Sequence, residues 1–203
     1  GGVFAAPFLL FSLGAGRLAD RWSKARVVVV AKSVDLVVVA LLLTGLFLKN
    51  VPILMAGLFL LVAQSAFFSP AKYGLLPELK EEATLPAANA LLNVASFAAI
   101  LLGTVAGTFL TQHIVIVAIL AGTVAIASLA AAFAIEKVPP ANPTQLLKWN
   151  PIPDLRENWN LVKGDKALRL SLLASSWFWF MGGVLHLNML VYVKQIMGLS
   201  DKV

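Results

Sequence analysis

Six apolar runs divide this chain, at about 1–18, 27–48, 53–68, 89–110, 114–135 and 168–192. Most approach or exceed the roughly 20 residues a helix needs to cross the hydrocarbon core of a bilayer. The runs are unbroken and do not alternate at every second residue, so they predict helices and not barrel strands. Helices also satisfy their own backbone polar groups, as a membrane requires. The chain has 203 residues, 60% of them hydrophobic and only 13% charged. That is too much apolar surface for one soluble domain of this size. The expected fold is an all-α polytopic membrane protein with about six transmembrane helices.

The bases are not scattered. Arg17, Arg21, Lys24 and Arg26 follow the first run, and Lys72 and Lys80 follow the third. Lys137, Lys148, Arg156, Lys163 and Lys166 follow the fifth. The opposite turns hold Lys49, then no base, then Lys194 and Lys202. Lys and Arg collect on the cytoplasmic side, which puts the loops at 19–26, 71–88 and 136–166 in the cytoplasm. The net charge of +6 therefore points to an inner leaflet and not to nucleic acid. Without Cys there is no disulfide framework, thiol nucleophile or Cys-based metal site. The first residues, Gly1-Gly2-Val3, show neither an initiator Met nor a basic n-region, so no signal peptide is expected. The chain is expected to be an internal piece of a longer polytopic protein.

Prolines set the expected breaks. Ser69-Pro70 is expected to close the third span, and Pro77 to open a short helix in the polar segment that follows. Pro139, Pro140, Pro143, Pro151 and Pro153 keep much of the long loop extended. From Asp154 the pattern changes. Asp154 and Glu157 have capping-box spacing, and Leu155, Trp159 and Val162 share one face opposite Arg156 and Lys163. Gly164 ends the segment. It reads equally as a helix on the inner leaflet, with Trp149 and Trp159 at headgroup depth, or as a solvated linker.

No enzyme constellation is present. His113 and His186 stand alone, and no Gly-rich phosphate loop occurs. Neither a cofactor nor a metal is expected, so the candidates are groups for transport. Asp35 lies about two turns inside the second span, where an ionisable side chain costs on the order of 3 kcal/mol. Lys32 sits three residues earlier on the same face and can pair with it. Asn89, Asn93, Ser96, Gly103 and Gly107 fall near one face of the fourth span. The glycines read as a small-xxx-small contact for close helix packing, and Asn89 and Asn93 as cavity lining. In the last span, Trp177, Trp179 and Phe180 either line an acyl-chain path or face lipid, with Gly182-Gly183 a flexible point mid-helix.

The hairpin 14–26 carries a spaced motif. Gly16-x-x-x-Asp20-Arg21, then Lys24 and Arg26, resembles the loop between helices 2 and 3 of major facilitator superfamily transporters. It departs from that pattern at Ser23, where Gly is usual, and at Ala25. Such a charge cluster can hold two helix bundles together in one transport state and release them in another. Its bland alternative is a topological signal only. A second stretch is more specific: Gln64-Ser65-Ala66-Phe67-Phe68-Ser69-Pro70-Ala71-Lys72-Tyr73-Gly74-Leu75-Leu76-Pro77-Glu78-Leu79, followed by Ala88-Asn89-Ala90-Leu91. With Ile100-Leu101-Leu102-Gly103-Thr104-Val105-Ala106-Gly107 it resembles the bacterial lysophospholipid transporter family. Ser176-Trp177-Phe178-Trp179-Phe180 resembles the related transporter domain fused to a phospholipid acyltransferase and acyl-carrier-protein synthetase.

The resemblance implies a major facilitator fragment containing helices 2 to 7 in the bacterial inner membrane. Residues 1–135 would be the N-terminal bundle, 136–166 the cytoplasmic linker, and 167–203 the start of the second bundle. It implies transport of lysophosphatidylethanolamine and lysophosphatidylglycerol to the inner leaflet for reacylation by an acyltransferase acting in cis or in trans. It also implies a headgroup role for Lys72, with Tyr73 beside it; an ammonium there can attract a phosphodiester. The alternatives are a drug or solute exporter and the membrane domain of a bifunctional acyltransferase. A Gly-Pro-containing motif common in proton-coupled drug exporters is missing from the fourth span.

Overall fold

The computed structural model describes residues 2–110, 112–144 and 152–195. Among them are seven α-helices and no strand. They are α1 (Gly2–Arg21), α2 (Lys24–Phe47), α3 (Val51–Leu79), α4 (Leu85–Leu110), α5 (Ile114–Phe133), α6 (Ile152–Gly164) and α7 (Lys166–Gln195). Five segments are long and apolar enough to cross a membrane: Lys24–Phe47, Val51–Leu79, Glu82–Leu110, Ile114–Phe133 and Lys166–Leu185. α1 is a further helix of 20 residues. The chain divides into two compact units, Gly1–Trp149 and Asn150–Val203.

In the first unit α3 is central. It packs along both α1 and α2, and α2 packs in turn on α5. The core is made of small side chains, among them Ala15, Ala19, Ala25, Val28, Ala31, Ala66 and Ala71. Association in lipid depends on close van der Waals fit, because lipid tails are as apolar as Leu, and small residues let backbones approach. The large apolar residues accordingly face outward, Leu9, Leu91, Phe109 and Ile119 among them. α2 and α3 meet at two glycines. A Cβ on Gly57 would fall 2.6 Å from Leu42 Cδ2, and one on Gly45 would fall 3.0 Å from Ile53 Cγ2. The turn between these helices holds Lys49 at φ 51°. Asn50 then caps α3, its Oδ1 accepting from the Ile53 N–H at 3.1 Å.

Four sequence expectations are corrected here. Ser69-Pro70 does not close the third span: α3 runs on to Leu79 with Pro70 and Pro77 both inside it. Ala66, Ala71 and Leu75 are buried on either side of Pro70, so packing against α1 and α2 outweighs the lost backbone hydrogen bond. Pro77 therefore starts no helix. In this segment the proline in a first turn is Pro86 of α4, which follows a 3₁₀ turn at Glu82–Thr84. The third correction is the glycine pair in α4. Gly103 and Gly107 have nothing within 4 Å of an added Cβ. α4 touches α3 and α5 only sparsely and buries none of its residues. The close-packing glycines are Gly45 and Gly57 instead. The connecting segments are also shorter than the loops at 19–26 and 71–88 suggested, because α1 ends at Arg21 and α2 begins at Lys24.

After α5 the chain turns back across the hairpin. Val138 is buried with Ala25 and Leu75, and Ile135 and Leu79 pack against them. The Asn142 N–H donates to the Asp20 carbonyl at 2.8 Å. Residues 135–142 thus form a strap over the α1–α2 turn and the end of α3.

In the second unit α6 begins at Ile152, so Asp154 lies in its first turn and not ahead of it. The side chains of Asp154 and Glu157, on which a capping box depends, and Trp149 lie outside what is described. A single residue, Asp165, separates α6 from α7. Its N–H donates to the Leu161 carbonyl at 3.1 Å. Its Oδ1 accepts from the Ala167 and Leu168 N–H groups at 2.8 and 3.1 Å, capping α7.

Candidate functional site

The hairpin residues are divided by the fold. Lys24 is buried and its ammonium pairs with the Glu78 carboxylate near the end of α3. Its stem runs over Gly74, where a Cβ would lie 2.8 Å from Lys24 Cε. Gly74 and Glu78 are one helical turn apart, so one face of α3 supplies both the space and the counter-charge. Asp20 has its main chain tied to the strap, while its side chain is exposed and makes no ion pair among the described residues. Gly16 has no neighbour close enough to require glycine. Arg26 is exposed on the first turn of α2, and Arg21 ends α1.

The intramembrane charges form a second cluster. Lys32 Nζ bonds Asp35 Oδ2 at 3.1 Å, with both side chains mostly covered. The same ammonium lies 4.6 Å from the centre of the Phe68 ring. Lys72, on α3, donates to Ser96 Oγ of α4 at 2.9 Å, and Ser96 donates to the Leu92 carbonyl at 2.7 Å. Lys72 also stands 5.3 Å from the Tyr73 ring centre. Phe68, under the Lys32 ammonium, lies one helical turn before Lys72 on α3. α2, α3 and α4 therefore bring two cations, one carboxylate and one hydroxyl to neighbouring positions.

The Lys32–Asp35 pair borders a cleft of about 650 Å³ between α2, α4 and α5, whose lining does not include Lys72 or Ser96. Lys32 and Asp35 lie at its polar edge, with Ser128. Gly103, Ala106 and Gly107 line it from α4, and Leu120 and Val124 from α5. The glycines thus widen a cleft. Its chemistry is that of an apolar slot with a charged edge, which suits a molecule with one hydrocarbon part and one phosphate or carboxylate. Asn89 and Asn93 are exposed, and neither makes a side-chain hydrogen bond among the described residues. The side chain from their stripe that meets Lys72 is Ser96. Trp177, Trp179 and Phe180 belong to the second unit. They are exposed along α7, with Trp177 against Phe180 at 5.9 Å and Phe178 edge-on to Trp179 at 5.8 Å.

Two groups were not singled out from sequence. Glu78 looked like a loop carboxylate; its signal is the Gly74-x-x-x-Glu78 spacing. Gln64 is buried, and its Oε1 has no hydrogen-bond partner among the described residues. It lines an otherwise apolar cleft among α1, α2 and α3. Nothing in its local sequence marks it apart from a polar residue within an apolar run.

Sequence comparison bears on these features. The profile described as Major Facilitator Superfamily matches residues 1–203. The lysophospholipid transporter LplT of Escherichia coli O1:K1 / APEC is 34% identical over 203 residues, covering 98% of this chain and 49% of that protein. The lysophospholipid transporters LplT of Escherichia coli O7:K1 (strain IAI39 / ExPEC) and O139:H28 (strain E24377A / ETEC) match with the same identity and coverage. The chain spans about half the length of the curated relatives it matches. No solved structure matches it.

Proposed function

The chain belongs to the major facilitator superfamily, and on that premise we propose that it is part of a transporter carrying lysophospholipids to the inner leaflet of a bacterial inner membrane. Its helices α1 to α5 and α7 then correspond to helices 2 to 7 of the superfamily. Residues 1–135 form the first bundle, 136–166 the cytoplasmic linker, and 167–203 the start of the second bundle. The basic segments face the cytoplasm. An acyltransferase, fused to the protein or separate, consumes the delivered lipid.

The observation that carries this reading is a pair of nearby cations, of which Lys32 edges an apolar cleft. Among the described residues the hydrogen-bond partner of Lys72 is a neutral hydroxyl, Ser96, and Lys32 has one carboxylate partner. The excess positive charge favours a phosphodiester, whose oxygens accept charge-assisted hydrogen bonds. The Lys72–Ser96 bond is readily exchanged for one to phosphate, since a neutral acceptor competes weakly with an anion. The acyl chain would lie along the small residues of α4, where Gly103 and Gly107 leave width. Tyr73 and the exposed Asn89 and Asn93 supply further polar contacts for the headgroup. In the second unit, Trp177, Trp179 and Phe180 are exposed aromatic surface of the kind an acyl-chain path uses. Transport follows as two bundles rock about the bound lipid. In this scheme Gly16, Asp20, Arg21, Lys24 and Arg26 hold the cytoplasmic side in one state.

The test is uptake of labelled lysophosphatidylethanolamine by spheroplasts carrying the full-length protein. Wild type takes it up, and Lys72→Ala lowers uptake about tenfold or more at unchanged expression, as loss of a charge-assisted contact requires. No uptake by wild type overturns the transport reading. Normal uptake by Lys72→Ala removes the headgroup role alone.

A further inference from the structure

A second basic cleft lies at the hairpin, away from the Lys32–Asp35 cluster. It measures about 520 Å³ and opens between the first turns of α2, the end of α5 and the strap. Val29, Phe133 and Val138 form apolar walls; Ser23, Arg26 and Lys137 supply the polar groups. It shares no lining residue with the cleft beside Lys32. No carboxylate lines it. Arg26 and Lys137 come from separate segments, both are exposed, and neither makes an ion pair among the described residues. The nearby acid Glu78 is already engaged by Lys24, and Glu136, next to Lys137 in the chain, is exposed and not part of the lining.

Ser23 adds to the imbalance. It stands at the N-cap of α2, yet its side chain makes no capping hydrogen bond. The Ser23 side chain thus spends no acceptor on the first-turn amides of α2, at the positive end of the helix. Guanidinium, ammonium, hydroxyl and helix start all offer hydrogens or positive charge, with no acceptor among the lining side chains save the hydroxyl itself. An anion answers that composition. Val29 and Phe133 ask in addition for hydrocarbon beside it, which an inorganic ion lacks. Basic pockets between membrane helices on the cytoplasmic side have this combination.

We infer that the α2–α5 cleft at the hairpin binds the phosphodiester of an anionic membrane lipid. Arg26 and Lys137 hold the phosphate, and the first methylenes of the chains lie against Val29 and Phe133. This lipid is resident and not cargo, so the inference stands apart from the transport reading. Its occupation joins α2 to the strap through one headgroup.

The experiment uses the full-length protein, purified from nanodiscs of phosphatidylcholine alone or mixed with phosphatidylglycerol. The retained lipid is counted by mass spectrometry, and thermal midpoints are recorded. Wild type retains phosphatidylglycerol in preference to phosphatidylcholine, and its midpoint rises with the phosphatidylglycerol fraction. Arg26→Gln/Lys137→Gln loses that preference about tenfold. Lys49→Gln/Lys80→Gln, which removes the same charge elsewhere, keeps it. Lys137→Gln alone, on the exposed strap, loses part of it, which covers the case of a double variant that does not fold. Equal retention of the two lipids by wild type overturns the inference. So does an unchanged preference in Arg26→Gln/Lys137→Gln, or an equal midpoint rise with inorganic phosphate in detergent.

Discussion

Lys24 shows what a buried charge demands of its surroundings. Its ammonium is withdrawn from solvent and requires a counter-charge, which Glu78 supplies from 54 residues away. Gly74 is part of the same arrangement, because any larger side chain occupies the path of the lysine stem. Removing one partner leaves the other uncompensated. Lys24→Met and Glu78→Gln should each cost about 2 kcal/mol, read as a lower thermal midpoint in detergent. Lys24→Met combined with Glu78→Met should cost less than the sum of the single changes, since it leaves no stranded charge. Strictly additive losses would show that the two residues do not act as a pair. Lys32–Asp35 was legible in the sequence, because three-residue spacing within one helix dictates the contact. Lys24–Glu78 was not, because its partners come from different helices and the local pattern around Glu78 suggested a loop.

Helix α3 shows why local rules misplace an element's end. Pro70 follows Ser69 in a stretch that reads as a stop, yet the backbone continues for another nine residues to Leu79. The buried Ala66, Ala71 and Leu75 hold both sides of the proline in place, and that tertiary packing is invisible to local propensity. Glycine spacing misled in the same way. Gly103 and Gly107 carry the four-residue spacing of a helix contact, but the tight crossing is at Gly45 and Gly57, which pack on residues of the neighbouring helix. The two pairs predict opposite responses. Gly57→Ala forces a Cβ into Leu42 and should destabilise the protein by about 1–3 kcal/mol, the usual range for overpacking. Gly103→Ala meets nothing and should be neutral or stabilising by up to about 1 kcal/mol, from helix propensity. Thermal midpoints of the two variants decide it; equal losses would mean that α4 has a close neighbour at Gly103. The helical type of the membrane segments came through in the sequence, and five of the six expected spans are long and apolar enough to cross a membrane, because hydropathy over 20 residues is a sum that single breakers barely change.

At the scale of the whole molecule, the strap 135–142 connects regions that sequence places far apart. It covers the α1–α2 turn and the end of α3, with Val138 buried and Asn142 bonded to the Asp20 carbonyl. Composition marked this stretch as extended, for Pro139 and Pro140 forbid a helix there, but gave no sign of what it lies on. Trypsin reports the strap directly, since it cuts after Lys137. Val138→Ser should speed that cleavage about tenfold, the population of the open strap rising as the buried valine loses its apolar contact. An unchanged rate would mean that burial of Val138 does not hold the strap closed. In the second unit, Asp165 is the sole residue between α6 and α7 and is bonded into both. The junction makes α6 a lever arm about 20 Å long with its fulcrum at the entry of a membrane-spanning helix. If α7 tilts by about 20° and carries α6 with it, the tip at Ile152 sweeps about 7 Å. A small rotation inside the bilayer is thereby magnified into a displacement outside it.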